Sequence, residues 1–131
     1  MSQSTPSSQI TDKQMLDQGA RLAVLARMGR VEVSQINQLI EVINSLGASR
    51  ESLLYLAAFV SRQASRRAIS RDFGRELKNL LLQYYNSGLG RDEARRLLGI
   101  VKWLYEALSG VRVDFKTLQR ARTIEDVLKL I

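Results

Sequence analysis

Between Arg62 and Lys78 the chain places six positive side chains, Arg62, Arg66, Arg67, Arg71, Arg75 and Lys78, against two acids, Asp72 and Glu76. Two carboxylates cannot neutralise six cations, so this stretch keeps a net positive field and fits an anionic partner better than a set of local ion pairs. Five of the six are arginine, whose planar fork matches phosphate geometry and stacks on bases. On a helix they occupy successive turns, an interval suited to tracking a nucleic-acid backbone. Tyr55 and Phe59 share a helical stripe with Arg62 and Arg66. There the two rings either stack on unpaired bases or face a third helix in the core.

Other chemistries are narrowly bounded. The sequence contains no His and no Cys. This removes imidazole and thiolate metal sites, cysteine nucleophiles, Ser-His-Asp triads and histidine general bases. The adjacent carboxylates Asp92/Glu93 and Glu125/Asp126 both stand where helices would begin, so complementing the helix dipole explains them better than acid–base work. No glycine-rich phosphate loop followed by Lys-Ser/Thr occurs. The expectation is a non-enzymatic protein with no cofactor and no metal. Its longest apolar run, Leu53 to Val60, is far short of the ~20 residues that span a bilayer. Zero Cys also suits a reducing compartment, so the expected location is the cytoplasm.

Charge is unevenly spread along the 131 residues. Residues 1–49 carry four basic and four acidic groups, residues 50–96 ten and five, and residues 97–131 six and four. The formal charge of +7 is therefore concentrated in the middle, and 15 of the 20 basic residues are arginine. Sequence-independent binding to a polyanion fits this better than duplex readout by a helix-turn-helix, because the tidiest helical segment, Ser34 to Leu46, has no basic residue. A helical adaptor that docks an acidic protein is a further class the same charge would serve.

The elements that must position these groups read as all-α. Residues 1–10 form a Ser/Gln-rich segment expected to be a flexible tail, and residues 11–131 a single helical domain. Thr11 caps a first helix that runs to about Met28, where Gly29 ends it. Ser34 caps a second, with Ile36, Leu39, Ile40, Ile43 and Leu46 as one apolar stripe and Gly47 at its C-terminal cap. A third runs from about Arg50 to Ala68, with Leu53, Ala57, Val60, Ala64 and Ala68 on its buried face. Ser70 caps a fourth, Arg71 to about Tyr85, burying Phe73, Leu77, Leu80, Leu81 and Tyr84; the pair would alternatively be one long kinked helix. Asp92 and Glu93 open a fifth that stops at Gly110, and Asp114 and Thr123 cap two short C-terminal helices. Within the fifth, Gly99 costs roughly 1 kcal/mol against Ala, a penalty expected to reflect a partner backbone close by. Trp103 lies beside the main stripe, as core edge or subunit contact.

Three segments carry a family resemblance: Val33-Ser34-Gln35-Ile36 opening an amphipathic helix, Leu56-Ala57-Ala58-Phe59-Val60-Ser61-Arg62-Gln63 in a basic one, and Val101-Lys102-Trp103-Leu104-Tyr105-Glu106-Ala107-Leu108. In this order, over about residues 20–110, the chain resembles the small helical subunit of type III CRISPR effector complexes of the Csm type. The resemblance implies a five-helix non-catalytic subunit, present in several copies, whose basic face supports a guide–target RNA duplex, with Arg62 the first position to carry over. It departs from that pattern at Asn37 and at Leu108-Ser109-Gly110. In size and composition the chain is also similar to helical nucleocapsid proteins of archaeal filamentous viruses, which implies polymerisation along duplex DNA and a virion as the alternative location. RNA is favoured over DNA, and the expected partners are nucleic acid, other subunits and copies of the chain itself, with no membrane.

Overall fold

The computed structural model describes residues 10–131. These form α1 (Asp12–Met28), α2 (Val33–Ser45), α3 (Ser52–Ser65), α4 (Arg71–Asn86), α5 (Arg91–Ser109), α6 (Phe115–Arg120) and α7 (Ile124–Leu128). Among the described residues there is no strand, and no helix is long and apolar enough to cross a membrane. The expected tail lies outside the described residues except for Ile10, which packs partly buried against the core.

Local chemistry sets most helix starts. Thr11 Oγ1 accepts the Gln14 N–H at 3.0 Å while Gln14 Oε1 accepts the Thr11 N–H at 2.9 Å, a reciprocal cap that satisfies two donors at the start of α1. Asp114 and Thr123 cap α6 and α7 through their side chains as expected. At α5 the Glu93 carboxylate reaches back to the Gly90 N–H at 2.8 Å.

The second helix departs from expectation at both ends. It begins at Val33 after an uncapped Glu32, leaving Ser34 exposed inside the first turn, and its C-terminal cap is Leu46, not Gly47. The preceding turn buries Val31 and feeds the chain straight into α2, so a side-chain cap has no role there. The third helix is also shorter than its apolar pattern. It stops at Ser65, because Arg67 turns left-handed (φ 63°) and thereby divides α3 from α4.

The core is built around α1. At Gly19 the absent side chain lets Ile100 of α5 sit directly on the α1 backbone, where a Cβ would collide with it. From Asp12 beside Arg96, through Gly19 at Ile100, to the Tyr105 hydroxyl donating to the Val31 carbonyl, the two helices run in the same direction. They bury Leu22, Ala23 and Ala26 against the α5 stripe of Leu97, Leu98, Val101, Leu104 and Leu108. Helices α3 and α4 form an antiparallel pair, close at Ala64 and Gly74, where an added Cβ would lie 2.9 Å from the alanine methyl. Polar ties cross this apolar interior. Gln63 of α3 donates to Gln35 of α2 at 2.8 Å, and the Tyr84 phenol of α4 donates to Gln18 of α1 at 2.6 Å. Burial pushes the Tyr84 phenol pKa up. Gly99 has nothing within 4 Å of where its Cβ would stand, so the close approach expected there is made at Gly19 instead.

The C-terminal helices dock on α1 through charge. Asp17 accepts the Ile124 N–H at 2.9 Å and the Lys13 ammonium at 2.9 Å, and Lys13 also pairs with Glu125 at 3.0 Å. The Ile124 amide and then Lys13 hold the Asp17 pKa below the usual carboxylate value. Lys13 lowers that of Glu125, the Arg122 amide lowers that of Asp126, and Asp17 and Glu125 raise that of Lys13.

For the depressed carboxylates the docking contribution is complete above their unfolded values, 3.8 for Asp and 4.5 for Glu, and is lost as pH falls through the lower folded values. For Lys13 it is complete below 10.5 and is lost only at higher pH. Hydrogen exchange at the Ile124 amide is therefore expected to stay protected near neutrality, and protection should fail only below pH 3.8, as Asp17 is protonated, before the α1–α5 core opens. Gly19 and Gly99, both inside helices, should respond oppositely. Gly19→Ala is expected to destabilise by about 1–3 kcal/mol through overpacking, and Gly99→Ala to stabilise by up to about 1 kcal/mol, both read from chemical denaturation.

Candidate functional site

Where α1 ends, the chain has Gly29 in ordinary right-handed conformation and then Arg30 at φ 53°. The Val31 N–H closes on the Ala26 carbonyl at 2.9 Å and the Arg30 N–H on the Arg27 carbonyl at 3.2 Å, the paired bonds of a Schellman end. Helix α3 ends in the same way, with Arg67 left-handed, Ala68 closing on Gln63 at 2.9 Å and Arg67 on Ala64 at 3.1 Å. The two turns meet at the start of α4. Ser70 packs against Gly29 so closely that any Cβ there would strike its side chain.

This meeting encloses a cleft of about 750 Å³, lined by Arg30, Arg67, Arg71, Arg75 and Lys78, with the hydroxyl-bearing Ser61, Ser65 and Ser70 among the other residues. Among the described residues that line it none is acidic. The electrostatics are therefore one-signed, and all five cations present only hydrogen-bond donors. Asp72 approaches Arg75 at 3.8 Å, but their side chains are 75% and 58% exposed, so the pair is weak and leaves the cleft charged. Ser70 Oγ is shut off from solvent without a hydrogen-bond partner, and Ser70 makes no side-chain cap to α4. A buried hydroxyl left unpaired costs about 1–3 kcal/mol.

Of the six basic residues singled out in the sequence, Arg67, Arg71, Arg75 and Lys78 line this cleft together. Arg62 and Arg66 do not. They are exposed on the neighbouring side of α3, where Arg62 donates to Gln63 Oε1 at 3.0 Å. Among the described residues Arg75 alone of the six has an acidic partner within 4.0 Å. The two aromatics also separate. Tyr55 is 66% exposed, whereas Phe59 is partly buried against the core. Further along the same helical pair, Tyr85 carries Arg50 over its ring at 4.6 Å, so that ring is already occupied.

Arg30 is the site residue that sequence reasoning missed. It belongs to a segment of zero net charge, and only the long-range contact between Gly29 and Ser70 brings it to the cleft. Trp103, 74% exposed, lies elsewhere, beside an apolar groove of about 390 Å³ formed with Met15, Leu16, Gly99 and Ile100. Among the described residues no three His, Cys, Asp or Glu side chains gather as a metal site. No protein-family model matches the chain, and no curated protein matches it significantly.

The different burial of the two rings gives a direct expectation. Tyr55→Ala should alter stability by no more than about 0.5 kcal/mol, and Phe59→Ala should cost about 2 kcal/mol in equilibrium unfolding. Only the first is thus usable as a clean test of stacking.

Proposed function

We propose that this chain is a non-enzymatic subunit that binds a nucleic-acid backbone without reading its sequence, RNA in preference to DNA, as part of a multi-subunit ribonucleoprotein. The observation that carries the reading is the cleft, with five cations and no acid among the residues that line it. A concave, one-signed surface focuses field lines and attracts a polyanion. Four of the five are arginine, which suits phosphate oxygens better than lysine does. Exposed Tyr55 and the free arginines Arg62 and Arg66 extend the surface along α3, where a base can stack while its phosphates follow the cations. A stacking ring favours an unpaired strand over a closed duplex. The resemblance to the small subunit of type III CRISPR effector complexes agrees with this reading. It suggests a place beside a guide RNA, with several copies arranged along it.

The test is a salt series with single-stranded RNA, RNA duplex and DNA duplex. Single-stranded RNA is expected to bind most tightly, and its log affinity should fall against log salt with a slope of about −3.5 if all five cleft cations engage phosphates. Arg71→Ala combined with Arg75→Ala should flatten that slope by about 1.4. Arg62→Ala combined with Arg66→Ala should weaken binding less, since neither lines the cleft. Unchanged affinity in the quadruple variant would sink the proposed face. Regular filaments on duplex DNA formed by the protein alone would favour a coat protein instead.

A further inference from the structure

Among the described residues three helices end in the same Schellman geometry, and the three are an internal comparison. Helix α4 closes with Leu89 on the Tyr84 carbonyl at 2.9 Å and Gly88 on Tyr85 at 3.2 Å, and its left-handed position (φ 82°) is filled by glycine. That is the residue the backbone asks for, because a Cβ in this region crowds the carbonyl. At the ends of α1 and α3 the equivalent positions are filled by Arg30 and Arg67. Both of these arginines line the cleft, and Gly88 does not. No capping requirement selects arginine there, so its side chain is what the position keeps.

We propose that Arg30 and Arg67 are paired phosphate ligands, the two jaws of a seat that holds one phosphate group of the bound strand. The inference rests on the nucleic-acid reading for the source of that phosphate. Each jaw is launched from a backbone fixed by two hydrogen bonds, so its Cα–Cβ direction is set before the ligand arrives. The jaws come from different turns, residues 29–31 and 66–70, and α4 begins between them. Arg71, at the start of α4, lines the same cleft, with Arg75 and Lys78 one and two turns further along the helix. The charged groups that line the cleft are all donors, the guanidinium forks of Arg30, Arg67, Arg71 and Arg75 and the Lys78 ammonium. A tetrahedral anion with several acceptor oxygens is the ligand class that uses such a set.

The experiment uses the full chain and the substitutions Arg30→Gly and Arg67→Gly, with Arg112→Ala as a control that removes an equal charge from an exposed position outside the cleft. Because glycine relieves the left-handed strain, each glycine variant should melt higher than the parent by about 4 °C. Each should also bind a single-stranded RNA oligonucleotide about tenfold more weakly, while Arg112→Ala changes affinity little. Glycine variants that bind as well as the control would overturn the seat and leave the wider nucleic-acid reading standing. Variants that bind less and melt lower would overturn it too, since the arginines would then be holding the turns themselves. If the parent binds no RNA the nucleic-acid reading fails, and titration with inorganic phosphate followed by amide NMR decides the seat alone. Shifts centred on Arg30 and Arg67 sustain it for a phosphate from another source, and their absence ends it.

Discussion

The contact on which the rest of the molecule hangs is Gly19 against Ile100. By letting α5 lie directly on the α1 backbone, it makes α1 a fixed rod touched along its length by other elements. At one end of the rod Lys13 and Asp17 dock the C-terminal helices, and at the other Gly29 receives Ser70. The second contact creates the cleft, since it brings a turn from the neutral N-terminal segment against the start of α4, which carries Arg71, Arg75 and Lys78. A glycine in the middle of one helix and another just past its C-terminal end thus connect the hydrophobic core to the charged surface.

Much of the fold was legible because its determinants are local. Thr11, Asp114 and Thr123 sit at their helix starts with side chains able to reach the third residue on, and the apolar stripe of α5 repeats over its whole length. The failures have physical causes. Ser34 and Gly47 are residues that could cap α2, but tertiary burial of Val31 fixed its start and the chain leaves it extended at Leu46. The division of α3 from α4 depends on a left-handed arginine, and arginine is a good helix former that gives no sign of a stop. The basic stretch was readable as a bulk feature, and four of its six members do share the cleft. Which four, and the addition of Arg30, depend on how two turns meet through Gly29 and Ser70, far apart in sequence.

The corner collects several costs that a merely stable bundle would avoid. Two residues with a Cβ occupy left-handed positions at roughly 1–2 kcal/mol each, a hydroxyl is shielded without a partner, and like charges face one another across a concavity. Elsewhere the chain is conventional: Gly88 fills the third left-handed end, charges pair where α7 docks, and buried glutamines find each other. Arg91 Nε is also buried without a partner, but the other departures gather at this corner, and local rules broken together mark a place under another selection.

Trp103 has a consequence of a different kind. It is the sole tryptophan, it is 74% exposed, and it stands on α5, a helix that contributes no residue to the cleft. Its emission therefore reports on whatever covers the groove beside Met15 and Ile100, and it stays silent when the cleft fills. The molecule carries, in effect, a built-in optical label for association at one surface that does not register ligand at the other.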